Sequence, residues 1–352
     1  MSKASNFGIT TVLAATVMLA VVVLVLVAGV GPAGAAFPGA NGKIAFVKEN
    51  FRQGTSGIFA MNPDGSDTNR LRSGYSPSYS ADGQKVVLER FSGESEEDFD
   101  QDIWVMDADG SNPQQVTSSA AYDHSPSFFP EGDKIAFIRD SRRNGTDIFT
   151  INLDGTGLEK ITDSAAIYEE TLAVSPEGSK IAFSRYNRSS DILVMNSDGT
   201  DPQNLTRTGR VDEFGPDWSP DAQKIAFTSY RFNFVVEGGA SAEGREAYAP
   251  EALEREARAS EEPEEDVEVS VMDADGGNRQ DLTSGPAFDD YPAFSPDGSR
   301  IAFTRMTFDN RSVKSDLFVM RADGTRKRQL TDTRAFEWGP DWQPIPSTGS
   351  TP

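Results

Sequence analysis

The segment Pro292-Ala293-Phe294-Ser295-Pro296-Asp297-Gly298, then Arg300-Ile301-Ala302-Phe303, Asp316-Leu317-Phe318-Val319-Met320, Ala322-Asp323-Gly324 and Gln329-Leu330-Thr331, decides the fold because it recurs. Its Ile-Ala-Phe element returns at Ile44, Val86 (as Val-Val-Leu), Ile135, Ile181, Ile225 and Ile301, at spacings of 42, 49, 46, 44 and 76. The second apolar element returns as Gly57-Ile58-Phe59-Ala60-Met61, Asp102-Ile103-Trp104-Val105-Met106 and Asp147-Ile148-Phe149-Thr150-Ile151. It continues as Asp191-Ile192-Leu193-Val194-Met195, Glu268-Val269-Ser270-Val271-Met272 and the Asp316 copy, which makes six units. A fixed period in the forties marks a repeat architecture of small supersecondary units.

Each unit reads as four short strands. The first runs from the Pro through an aromatic such as Phe294 or Trp218 to a Ser-Pro-Asp-Gly turn. There Pro presets φ and Gly takes a positive φ without steric cost. The second is the Ile-Ala-Phe element. The third, as in Ile103-Trp104-Val105-Met106, is apolar on both faces and so is expected to be buried on both. An Asp-Gly hairpin leads to a short fourth strand ending in Leu-Thr or Val-Thr. These features predict an all-β, six-bladed β-propeller with four-stranded blades. After the last unit, Phe336-Glu337-Trp338-Gly339-Pro340-Asp341-Trp342-Gln343-Pro344 matches Phe214-Gly215-Pro216-Asp217-Trp218-Ser219-Pro220. It is a leading strand without a unit of its own. It is expected to pair with the strand at Ile44 and close the ring, which removes the open edge.

The units resemble the WD40-like repeats of the TolB family, whose propeller carries this Ser-Pro-Asp-Gly, Ile-Ala-Phe and Met-x-x-Asp-Gly pattern. The resemblance covers about residues 38 to 344. It implies a propeller outside the cytoplasm. TolB proteins carry an α/β domain before the propeller, and this sequence is expected to lack it. The resemblance also implies that the leading strand is innermost, near the channel mouth.

On that strand, three residues before the leading Pro position, lie Asp123, Glu169, Glu213, Asp289 and Glu337; Gly74 takes this place in the second unit, and Leu172 replaces the Pro in the fourth. Equivalent positions in a closed repeat share one height, so a ring of carboxylates at a binding mouth is expected, able to hold a cation or a basic segment. The neighbours Tyr75, His124, Glu170, Phe214, Asp290 and Trp338 would add aromatic and polar surface. The structural alternative is that the acids cap backbone N–H groups at the strand start and face open water.

Composition narrows the function. With 33 basic and 55 acidic side chains and a formal charge of -22, the chain is unsuited to nucleic acid or to anionic headgroups. A basic partner or cations suit it better. Without cysteine there is no disulfide, thiol nucleophile or Cys-ligated metal; with His124 as the one histidine, zinc sites built on several His are excluded in a monomer. Residues 1–36 read as a signal peptide or N-terminal membrane anchor: Lys3, an apolar run from Ile9 to Val30, and Ala33-Gly34-Ala35 fitting an A-x-A cleavage site. Cleavage and retention are both open, and either makes the propeller, residues 37–345, extracytoplasmic. Residues 230–266 form an acidic insertion in the fifth unit, ending in Glu261-Glu262-Pro263-Glu264-Glu265-Asp266, and 346–352 read as a disordered tail.

Asp107-Ala108-Asp109-Gly110-Ser111-Asn112 begins like an EF-hand loop, but its Gly stands fourth instead of sixth, and Ser118 stands where Glu belongs. It reads as a hairpin. There is no Gly-x-Ser-x-Gly elbow and no phosphate loop. The expected function is therefore a non-enzymatic, monomeric binding scaffold for an envelope protein, basic peptide or ligand, without cofactor apart from a cation in the channel. Two alternatives are a glycan hydrolase using carboxylates such as Glu169 and Glu170, and a cation-dependent structural propeller.

Overall fold

A computed structural model of the chain describes residues 36–51, 53–92, 100–141, 145–163, 167–233, 264–309 and 312–346. The export segment apart from Ala36, residues 234–263 of the insertion expected over 230–266, and the tail from 347 lie outside the described residues; 230–233 and 264–266, expected in the insertion, belong instead to paired strands. Among the described residues no helix is long and apolar enough to cross a membrane.

The regular structure is β throughout. The first unit holds β1 (Ala40–Asn50), β2 (Thr55–Met61) and β3 (Asn69–Arg72), and the second β4 (Tyr75–Tyr79), β5 (Lys85–Ser92), β6 (Asp100–Asp107) and β7 (Gln114–Gln115). The third holds β8 (Tyr122–Phe128), β9 (Lys134–Asp140), β10 (Thr146–Asn152) and β11 (Glu159–Lys160). The fourth holds β12 (Tyr168–Val174), β13 (Lys180–Tyr186), β14 (Ser190–Asn196) and β15 (Gln203–Asn204). The fifth holds β16 (Val211–Trp218), β17 (Lys224–Asn233), β18 (Glu264–Asp273) and β19 (Gln280–Asp281). The sixth holds β20 (Phe288–Phe294), β21 (Arg300–Asp309), β22 (Ser312–Arg321) and β23 (Arg328–Gln329), and β24 (Phe336–Ile345) follows.

Within each unit neighbouring strands pair antiparallel in chain order. β24 joins β1, with Ile44 opposite Trp342 and Lys48 opposite Glu337, giving the order β24-β1-β2-β3. Six separate blades were expected, but hydrogen bonding gives four four-stranded sheets and one of eight. The cause is local. β6 and β8 meet in a single parallel pair, Gln101 opposite Tyr122, which makes the second and third units one sheet. The leading strands β4, β8, β12, β16, β20 and β24 each touch the next, and β24 touches β4, so they form a closed inner ring.

Side-chain alternation explains the packing. Phe46, Leu88, Phe137, Phe183, Phe227 and Phe303, the last residues of the Ile-Ala-Phe elements, are fully buried. Apolar clusters fill the seams between successive units: Ile138, Ile148, Leu172 and Phe183 between the third and fourth, Val269, Val271, Phe294 and Phe303 between the fifth and sixth. At about 25 cal/mol per Å² of apolar surface removed from water, these seams are the main source of stability. One cluster reaches further: Phe37 packs with Val87, Phe128, Ala173 and Trp218, from four units. Its segment is pinned by the Ala36 N–H donating to the Trp218 carbonyl and the Gly39 N–H to the Pro296 carbonyl, both at 3.2 Å.

Candidate functional site

The five acids lie in the seams, buried, and each meets a cation. Arg139 forks onto Asp123 at 2.6 and 2.7 Å, and Arg305 onto Asp289 at 2.6 and 2.6 Å. Arg185 reaches Glu169 at 2.8 Å, Arg279 reaches Glu213 at 2.6 Å and Lys48 reaches Glu337 at 2.6 Å. All five acids are at most 1% exposed, so they form no open ring of charge and do not cap strands toward water. The cations also lie over aromatic rings: Arg139 is 5.2 Å from the Phe149 centroid and Arg305 4.9 Å from that of Phe318. Enclosure of this kind calls for a counter-charge, because an unpaired buried carboxylate is costly. The sequence held a signal for it. Asp123–Arg139, Glu169–Arg185 and Asp289–Arg305 all lie 16 residues apart.

The closing Thr of the Leu-Thr element completes each network. Thr117, Thr162, Thr206, Thr283 and Thr331 accept the backbone N–H of Ile103, Ile148, Ile192, Val269 and Leu317 at 2.8 to 3.0 Å. Their hydroxyls or a near neighbour then donate to an acid: Thr162 to Glu169 at 2.8 Å, Thr208 to Glu213 at 2.6 Å, Thr333 to Glu337 at 2.8 Å and Thr283 to Glu268.

A second set of side chains links neighbouring leading strands. Asp217 accepts the Phe294 N–H and Asp341 the Tyr79 N–H, each at 2.6 Å, and Ser127 accepts the Val174 N–H at 3.1 Å. The indoles of Trp218 and Trp342 donate to the Ala173 and Ala293 carbonyls at 3.2 Å. In the sequence Asp217, Trp218, Asp341 and Trp342 stood out only as matching positions of two leading strands, and Ser127 not at all.

Just past the acids, the leading strands bulge. Register shifts fall between Tyr75 and Ser78, His124 and Ser127, Glu169 and Leu172, Phe214 and Asp217, and Asp290 and Ala293. The residue before the Pro takes a left-handed φ: Ser76 49°, Ser125 51°, Gly215 61°, Tyr291 51° and Gly339 62°. Such bulges re-aim side chains. Successive strand residues face opposite ways, so Tyr75, His124, Glu170, Phe214, Asp290 and Trp338 leave the strand on the side opposite the acid position; Tyr75 still reaches Ser56 of the first unit at 2.9 Å, and Asp290 reaches Thr228 of the fifth at 2.7 Å. All six are half-buried.

Burial dominates the chemistry of this second set. It pushes Asp290 up to about 6 against hydrogen bonds from Thr228 at 2.7 Å and the Tyr291 N–H at 2.6 Å. It raises Glu170, whose carboxylate accepts the Ser190 hydroxyl at 2.6 Å, and it lowers His124 to about 4. Glu89, on β5 opposite Tyr75, is pushed up to about 7 and accepts the Ser125 N–H at 2.8 Å and Gln101 at 2.6 Å. Nothing in the sequence set Glu89 apart. Glu169 and Glu170, the pair considered for hydrolysis, point to opposite faces, one into a seam and one to the ring. Two surface grooves, of about 470 and 710 Å³, lie between hairpins of neighbouring units, lined by residues such as Pro220, Asp297 and Asp323, and Leu205, Trp218 and Asp275. Neither includes Tyr75, His124, Glu170, Phe214, Asp290 or Trp338.

Comparison with known proteins agrees with this geometry. The model of the TolB beta propeller domain matches residues 72–245. A TolB homolog of Chlorobium luteolum is 34% identical over 118 residues, 33% of this chain and 25% of that protein. An uncharacterized protein of Agrobacterium fabrum is 30% identical over 129 residues, 36% of this chain and 42% of the other. These matches span less than half of each relative. The crystal structure of TolB from Acinetobacter baumannii superposes with a TM-score of 0.66 at 20% identity, covering 86% of this chain and 67% of that one. The propeller of this chain belongs to the TolB-type β-propeller family.

Proposed function

We propose that this propeller is an extracytoplasmic binding scaffold that receives a basic segment of an envelope protein at the mouth of its inner ring. The sheet of eight strands is read here as two blades joined at one bridge, which makes six blades around the axis. The observation that carries the reading is the half-buried set Tyr75, His124, Glu170, Phe214, Asp290 and Trp338, one from each leading strand. Two carboxylates among three aromatic rings suit a Lys or Arg side chain: the acids supply charge and the rings accept a cation on their faces. The formal charge of -22 adds long-range attraction for a basic partner.

The acids of the seams are not part of this mouth, because their charge is already answered. The test is a pull-down from envelope extract with the propeller from Phe37 onward beside Glu170→Gln, Asp290→Asn and Trp338→Leu variants. Capture by the parent and loss by variants of unchanged Tm is expected. Equal capture by all would place the binding surface elsewhere.

A further inference from the structure

One seam breaks the repeat. In five seams the same positions hold two carboxylates and a hydroxyl, joined in four of them by a cation, as in Asp102, Thr117, Asp123 and Arg139, or Glu268, Thr283, Asp289 and Arg305; between the fourth and fifth units Ser229 takes the cation's place and Arg279 reaches Glu213 instead. Between the first and second units these positions are Gly57, Arg72, Gly74 and Arg90. The register confirms the equivalence: Arg72 lies opposite Ile58 in the β2–β3 ladder, where Thr117 serves Ile103 in the second unit. Both carboxylates are gone, and an arginine has replaced the hydroxyl.

Among the described residues no carboxylate pairs with Arg72 or Arg90. Arg72 gives one N–H to the Gly110 carbonyl at 3.2 Å. Arg90 lies over the Trp104 ring, its Cζ 4.3 Å from the centroid. Asp102, opposite Arg90 in the β5–β6 ladder, is occupied by Gln115 at 2.9 Å and by Thr117 and Ser119 at 3.3 Å. Position 74 itself has no room for an acid, since a Cβ on Gly74 would meet Leu88 Cδ1 at 2.6 Å and the Glu89 carbonyl oxygen at 2.9 Å. Both arginines are half-buried and so open to solvent on one side. Burial and the charge of Arg72 each lower the pKa of Arg90, as expected of a cation lacking its counter-ion.

We propose that Arg90 and Arg72 form a carboxylate-binding site at this seam, in which an external carboxylate takes the role that Asp123 or Asp289 plays in other seams. A guanidinium fork seated over an indole can meet a planar carboxylate in two parallel N–H···O bonds. The site lies beside Tyr75 of the inner ring, which follows Gly74 in the chain.

The test uses NMR of the arginine side-chain N–H groups in the full propeller, titrated with sodium acetate at constant ionic strength kept by sodium chloride. A saturable shift at Arg90 and Arg72 is expected, with a dissociation constant in the millimolar range. Arg90→Gln should weaken acetate at least ten-fold. Arg72→Thr restores the hydroxyl that five units carry, so it should fold and should also weaken acetate at least ten-fold. No saturable shift, undiminished binding in both variants, an equal response to chloride, or tighter binding of inorganic phosphate than of acetate would each overturn the assignment.

Discussion

Asp341 accepts the Tyr79 N–H across a seam, and burial pushes its pKa up to about 7. Glu89 is pushed to about 7 and Asp290 to about 6 by the same cause. In the unfolded chain such groups lose their protons near pH 4. Between about pH 4 and 7 the native state thus holds more protons than the unfolded state, and stability falls as pH rises through that window. Asp341→Asn keeps an oxygen for the Tyr79 N–H and removes the titration. Its Tm should approach the parent's near pH 4 and exceed it by a margin that grows up to about pH 7 and then levels off, at the equivalent of about 4 kcal/mol. Parallel curves of Tm against pH would show that Asp341 is ionised throughout. Residues of this kind were visible in the sequence, but their surroundings were not. Asp289 and Asp290 are adjacent acids that look alike in the sequence, and only the strand pairing gives one to Arg305 and the other to Thr228.

The strands were legible because their signals are local. Ser-Pro-Asp-Gly turns, Asp-Gly hairpins and two-sided apolar runs each depend on a few adjacent residues, and all lie where expected. What escaped depended on contacts between elements: the one bridge that fuses β6 to β8, and the purpose of the Leu-Thr ending. The latter is testable. Thr283 accepts the Val269 N–H at 2.9 Å and donates to Glu268, whose pKa burial raises. Thr283→Val keeps the shape but leaves a buried N–H and a buried carboxyl without their partner, a loss of about 1–3 kcal/mol. Thr117→Val and Thr162→Val should cost similar amounts by denaturant unfolding, since the same N–H is served at 2.9 and 2.8 Å. A change under about 0.5 kcal/mol in all three would mean that the motif repeats for another reason.

Closure decides how the molecule behaves as a whole. β16 is tied to β17 by a five-residue turn, Ser219 to Gln223, whereas β24 and β1 are joined by no turn and meet about 300 residues apart. Their close fit shows at Gly42, where a Cβ would lie 2.7 Å from the Gln343 carbonyl oxygen. Trp218 and Trp342 provide a matched comparison, each 2% exposed and each with its indole N–H at 3.2 Å from a carbonyl of the neighbouring leading strand. Replacing either by Ala should cost about 3–5 kcal/mol. The consequences should differ in kind. In Trp218→Ala the turn keeps β16 in place, so its amides should exchange only with global unfolding. In Trp342→Ala β24 can leave alone, so the amides of β1 and β24 should exchange through a local opening well below the global free energy. If hydrogen exchange shows β24 opening only with the whole propeller, the noncovalent seam is as strong as the turn-linked ones, and closure is held by the ladder from Ala40 to Glu49 without help from the indole.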